Sequence, residues 1–413
     1  MSTTAPVAAH PYLIDLTQLP TAAGREDRVI RWVRDWAARH PSLALAEDRA
    51  GNLIVTRREA PPSSPDNPPL YITAHLDHPA FVVERIVGPG TLELSFRGGV
   101  MDAFFEHAPV RVYPRSVDAA DGSLPAVLTG PAPGVGSPFG KLYIAELDSR
   151  SARAASTLAV GDVATWELPP ARVIDGNLHT HACDDLAALA AAVCTMERLI
   201  QAPATQDVRL LFTRAEEIGF LGAIAACKLG TMPRGSRVLA LENSRAFPDS
   251  PIGGGPIVRV GDRISIFHPQ LTAACAKRAE ELFARPATPH ASQTTAQIGV
   301  PAARPWQRKL MAGGACEASV FCSYGYASTC LCLPLGNYHN MAHLAELQAG
   351  TYDAAKLGPP RAAPEFISVD DFNGLVDLLV GLGQSLPTID PGIERFEKLW
   401  SDKKGVLGAS PLG

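Results

Sequence analysis

Apolar positions along the chain fall into two rhythms. Within residues 24–40, Val29, Ile30, Val33, Trp36 and Ala37 recur at helical spacing. Residues 70–74 form an apolar run that reads as a buried strand, after a loop at 61–69 that holds five prolines. Residues 185–200 place Leu186, Leu189, Val193, Met196 and Ile200 on one side and predict a helix. Residues 207–213 and 237–241 read as strands, with a helix at 220–229 between them. Helices are predicted at 270–284, 318–324 and 369–386, and an apolar strand at 329–335. This alternation predicts an α/β fold, a mixed and mostly parallel sheet flanked by helices.

Between residues 83 and 167 the pattern changes. Gly, Pro, Val and Thr dominate, short strand-like runs such as TLELSF and APVRVYP appear, and helical periodicity fades. This predicts a small β-barrel-like domain at 83–167 inserted into a discontinuous catalytic α/β domain at 1–82 and 168–413. The 413 residues are enough for a sizeable core. A net charge of −5 with no basic stripe argues against nucleic-acid binding. No apolar run reaches the roughly 18 residues of a membrane span. The first 13 residues lack the basic and apolar regions of a signal peptide, which predicts a cytoplasmic protein. The eight cysteines lack paired CxxC spacing and read as free thiols of a reducing compartment.

The candidate chemistry sits where predicted strands end, the edge at which open α/β sheets bind ligands. His75-Leu76-Asp77 follows the first buried strand. His75 can bind a metal, and Asp77 can orient its ring through the other nitrogen. Asp184-Asp185 opens a helix. Asp185 suits the N-cap, which leaves Asp184 over, and a carboxylate can bridge two metal ions about 3.5–4 Å apart. Glu216 and Glu217 lie between apolar flanks, where adjacent carboxylates repel and pay for burial. One of them on a metal and its neighbour holding a proton would resolve the conflict. Glu242 closes the strand VLALE, and His339 follows the last strand in LPLGNYHNM. Each feature alone has an ordinary structural reading, and their shared placement is what points to a site.

In this order the residues resemble the TET-type and glutamyl aminopeptidases, dinuclear zinc metallopeptidases, over nearly the whole chain. Gly51-Asn52-Leu53, the HLD at His75, the paired Asp184-Asp185, EEIGFLGA from Glu216, GGGP from Gly253, GGACEA from Gly313 and LPLGNYHNM carry the likeness. The resemblance implies that His75, Asp184 and Glu242 hold one metal ion, that Asp184, Glu217 and His339 hold the other, and that Glu216 is the base. Zinc is the expected ion, with cobalt or manganese as substitutes. Peptide substrates and a homo-oligomer are implied as well. Departures mark a divergent branch. His78, Pro79 and Ala80 follow HLD where the family has Glu and Gly. Glu242 and Glu317 replace Asp, and Leu186 replaces Arg. His179 and His181 precede the Asp pair, and an excursion at 345–364 follows His339. A carboxypeptidase, a small-amide deacylase and a non-catalytic metal-binding scaffold share this ligand set as alternatives. Adjacent Glu216 and Glu217 do not by themselves straddle a sugar bond, which sets a glycosidase aside.

Overall fold

In a computed structural model, residues 8–116, 122–133, 138–148, 156–283, 304–389 and 392–407 are described. The apolar strand Leu70–His75 is buried at every position. It lies inside an eight-stranded sheet. Its neighbours Val208–Thr213 and Arg237–Arg245 run parallel to it, and Ala327–Leu335 runs parallel to Arg237–Arg245. Outside these four, Leu53–Arg57 and Ile257–Asp262 pair antiparallel, so the sheet is mixed. Strand alternation divides the core. Leu70, Ile72 and Ala74 pack into one cluster, and Tyr71 into another on the opposite face.

The first cluster holds the helices Leu186–Gln201 and Val369–Gln384. Helix Leu186–Gln201 is buried on nearly every side. Its alanine-rich sequence suits that place, since alanine favours helix and admits close neighbours. The second cluster takes Ala223, Ala226 and Cys227 from helix Leu221–Leu229 and Phe321 from helix Glu317–Ser323. Helices therefore flank both faces.

A closed barrel of six strands occupies the region expected at 83–167 and begins three residues before it. Its first strand is Ala80–Gly88 and its last is Val163–Trp166. Phe81, Phe96, Phe105, Tyr143 and Trp166 fill its core. A separate three-stranded antiparallel sheet joins Arg172–Ile174, Asn177–Thr180 and Glu365–Ser368. No helix of the described residues is long and apolar enough to cross a membrane.

Some expectations need adjustment: the 24–40 helix is Asp27–Ala38, and the strand expected to close at Glu242 runs on to Arg245. The 270–284 helix is Pro269–Leu282, and residue 284 lies outside the described residues. Asp185 occupies the N-cap position of its helix but makes no side-chain cap bond. Its Oδ2 accepts instead from His75 N at 3.3 Å. The carboxylate turns towards the strand ends, away from the free amides of its own helix.

Candidate metal centre

Parallel register brings the strand ends level. Thr213 stands opposite His75, and Ala240 stands opposite Thr73, so Glu242 lies level with His75, still paired with Cys332 in a strand that runs on to Arg245. His339 follows strand Ala327–Leu335, with Asn337, His339 and Asn340 all at positive φ. Non-glycine residues held there are strained and persist where the surroundings fix them. The loop after Val208–Thr213 is tight as well. Gly219 has φ +114°, and a Cβ on Gly222 would stand 2.3 Å from Arg214 N. The glycines of EEIGFLGA are thus required by the turn that presents Glu216 and Glu217.

The predicted side chains converge. His75, Asp184 and Glu242 group with Asp185, while Asp184, Glu217 and His339 form a second group. Glu216 joins His75 and Glu217 in a third. Asp184 faces both histidines, with Oδ1 3.3 Å from His75 Nε2 and Oδ2 3.4 Å from His339 Nε2. Glu217 Oε1 lies 3.5 Å from His339 Nε2, and Glu216 Oε2 lies 4.0 Å from His75 Nε2. The Asp184–Asp185 peptide is cis.

The opposite ring nitrogens decide the histidine tautomers. His75 Nδ1 is 3.1 Å from the carbonyl of Asp77, and His339 Nδ1 is 2.7 Å from the carbonyl of Gly99. Carbonyls only accept, so each Nδ1 carries the hydrogen. Each Nε2 then turns a lone pair, or a second proton, towards Asp184. A protonated histidine would close on a carboxylate to about 2.7–2.9 Å. Ligand atoms around a tetrahedral ion with bonds of about 2.0–2.2 Å stand about 3.3–3.6 Å apart. The spacings at Asp184 match the second case. Asp184 Oδ1, Asp185 Oδ1 and both carboxylate oxygens of Glu317 are buried without a hydrogen-bond partner. The donor set therefore fits divalent cations.

Electrostatics agree. Burial pushes Glu242 well above its ordinary range, and the charges of Asp184, Asp185 and Glu216 push the same way. Burial also raises Glu216 strongly, against the pull of His75. It takes Glu217 to about 7 and Glu317 to about 7. Burial would lower His339, but Glu217 and Asp184 hold it at about 9. Asp184 alone stays low, because His339 and His75 overcome its burial. Cations placed among these groups would favour the ionised carboxylates and neutral imidazoles instead.

Asp77 does more than its place beside His75 implies. It is fully buried, and its two oxygens accept from Glu216 N and Glu217 N, each at 3.0 Å. Glu26 continues this clamp, with Oε1 3.0 Å from Ala215 N and Oε2 holding the Arg214 guanidinium at 2.7 Å. Sequence reading missed Glu26, Glu365 and the inward turn of Asp185. Glu26 and Glu365 do not follow a sheet strand, so position gave no signal.

The departures find ordinary roles. His78 is buried, with Nδ1 bonded to the carbonyl of Asp184 and Nε2 3.1 Å from Asn340 Oδ1. His179 stacks on Phe366, and His181 bonds the carbonyl of Pro169. The excursion contains helices Leu344–Ala349 and Ala354–Leu357. Its Gln348, with Leu344 just before the excursion, Met101 of the barrel region, Phe247, Met311 and Glu242, lines a cavity of about 610 Å³.

No curated protein matches the sequence. Solved structures are similar in fold. The TET1 peptidase of Pyrococcus horikoshii, which can assemble into a tetrahedron or a large octahedral shell, superposes with a TM-score of 0.66 at 20% identity, covering 91% of this chain and 99% of that one. An aminopeptidase of the archaeon Desulfurococcus kamchatkensis gives 0.66 at 20% identity, covering 90% and 93%. The family model of the M42 glutamyl aminopeptidases matches residues 51–351, most of the chain. The chain belongs to the M42 glutamyl aminopeptidase family and is a metal-dependent aminopeptidase.

Proposed function

We propose that the enzyme is a cytoplasmic, homo-oligomeric aminopeptidase with two zinc ions per chain. His75, Asp184 and Glu242 hold one ion. Asp184, Glu217 and His339 hold the other, and Glu216 is the general base. The observation that carries this reading is Asp184, which offers one oxygen to each histidine at the spacing of shared ligands. Eight free cysteines suit a reducing compartment. The assemblies of the Pyrococcus relative favour a homo-oligomer. The barrel region at 83–167 is taken as a unit inserted in a catalytic domain of 1–82 and 168–413.

Two bound ions would supply Lewis acidity, lowering the pKa of water and polarising the scissile carbonyl. Glu216 accepts the proton of the attacking water and passes it to the leaving amine. Asp77 keeps Glu216 and Glu217 in register by holding both amides, and it supports His75 through its backbone carbonyl. The cavity beside Glu242 receives the N-terminal residue of the peptide. Excess carboxylate around the cluster suits a cationic free amine there.

Metal analysis combined with a substrate screen tests this reading. Close to two zinc ions per chain are expected, with cleavage of free-amine peptides and none of their N-acetylated forms. Cleavage of N-blocked peptides at a free carboxyl end would favour a carboxypeptidase. Turnover of small acyl amides alone would favour a deacylase. Two ions with no turnover on any of these would leave the scaffold.

A further inference from the structure

Glu365 opens the strand Glu365–Ser368, beyond the segment that matches the family, which ends at residue 351. The chain leaves the site after His339, runs through the excursion and returns here. Glu365 is fully buried. Its Oε2 accepts from Cys183 N at 2.7 Å and Asp184 N at 3.0 Å. Its Oε1 accepts from His339 N at 2.7 Å. One carboxylate thus holds the backbone amides of two residues read as ligands, from loops far apart in sequence. Pairing explains how it reaches both. Glu365 stands opposite Thr180, near the Asp184 turn, while Phe366 bridges to Gly336, near the His339 turn.

The chemistry requires a carboxylate. Three N–H groups converge on two oxygens, and an ionised carboxylate accepts without donating. A glutamine offers one oxygen, and its amide nitrogen would face a donor. His75 and Glu242 are placed differently. His75 ends one parallel strand and Glu242 lies within another, so the ladder fixes their backbone, and no hydrogen bond joins Glu365 to either among the described residues.

We propose that Glu365 is a positioning residue that sets the spacing of Asp184 and His339, and so the affinity of the ion those two share with Glu217. The proposal rests on the ligand assignment above. It predicts an asymmetry: two of three ligands of that ion hang on Glu365, against one of three for the ion at His75 and Glu242.

Zinc competition titrations on wild type, Glu365→Gln and Glu365→Asp test it, together with hydrogen exchange on the metal-free proteins. Asp is one methylene shorter and does not span both loops. In both variants the binding step of the ion shared with Glu217 should weaken about 10–100-fold, the usual effect of losing an outer partner of a ligand, while the other step, which loses support at Asp184 alone, weakens less. Amides of Cys183, Asp184 and His339 should exchange faster, and those of Glu216 and Glu217, held by Asp77, should not. Equal weakening of both steps, or unchanged binding in a folded variant, would overturn the proposal. Metal-free wild type supplies a test independent of variant folding. The Asp184 and His339 amides should be protected to a similar degree, and rapid exchange of either sinks the idea. If wild type binds fewer than two ions, the ligand assignment fails, and the exchange data still decide whether Glu365 positions the loops.

Discussion

Phe81, inside the barrel, and Asp184, between the two histidines, are both buried, but the consequences of their burial differ in sign. Phe81 meets Phe96 at 4.8 Å and Trp166 at 5.0 Å between ring centroids, in edge-on packing. Each such contact adds to the gain from removing apolar surface from water. Asp184 lies among Glu217, Glu242, Asp185 and Glu216; burial works against the ionised state of these carboxylates, and Asp184 keeps its charge only because His339 and His75 face it. The barrel supplies stability and carries little chemistry of its own. The strand ends spend stability to keep reactive groups dry and close together. The regions still touch, because Gly99, just past the barrel strand Thr91–Arg97, accepts from His339.

The contrast is tested hardest at Glu216. Glu216→Gln keeps the shape and removes the proposed base, so turnover should fall about 10²–10⁴-fold. Metal content should stay near two per chain. Thermal stability of the metal-free variant should hold or rise, because one buried carboxylate among several is gone. Full turnover in this variant would refute the assigned role. Phe81→Ala should do the reverse. Truncating a buried phenylalanine costs about 3–5 kcal/mol, and the loss should appear in denaturant melts. Zinc bound per folded chain should not change. Zinc lost in proportion to barrel stability would join the two regions into one unit.

This difference also marks what was legible in the sequence. The barrel announced itself through lost helical periodicity and β-rich runs. The sheet strands showed as apolar runs, and parallel pairing puts their ends on one edge, so His75, Glu216, Glu217, Glu242 and His339 could be read as neighbours before any coordinates. Asp184 followed from having one aspartate more than a cap needs, although Asp185 turned out not to cap. The supporting carboxylates were not legible. Glu26 and Glu365 act on backbone amides brought near by tertiary packing, and local sequence carries no mark of that. The two amide bonds of Asp77 were hidden for the same reason.

Metal removal should sharpen the contrast further. A ligand present at 100 times its dissociation constant stabilises the folded state by about 2.7 kcal/mol per site. Chelation should remove stability of that order, and hydrogen exchange should locate the loss at the turns carrying Asp184, Glu217 and His339. Barrel amides in Thr91–Arg97 and Lys141–Leu147 should keep their protection. Equal loss in both regions would show that the cations hold the whole molecule together.

The smallest expected effect is at His78, which lies between the two kinds of region. It precedes the first barrel strand Ala80–Gly88 and follows His75. Both of its ring nitrogens face oxygens, the carbonyl of Asp184 and Oδ1 of Asn340. The ring thus stands between the turns that carry Asp184 and Asn340. Glutamine can reach one of these oxygens but not both. His78→Gln should therefore cost about 1 kcal/mol, the net value of one intramolecular hydrogen bond, and leave two zinc ions per chain. Loss of one ion would make His78 a ligand. Loss of barrel stability without any change at the metal centre would assign it to the barrel instead.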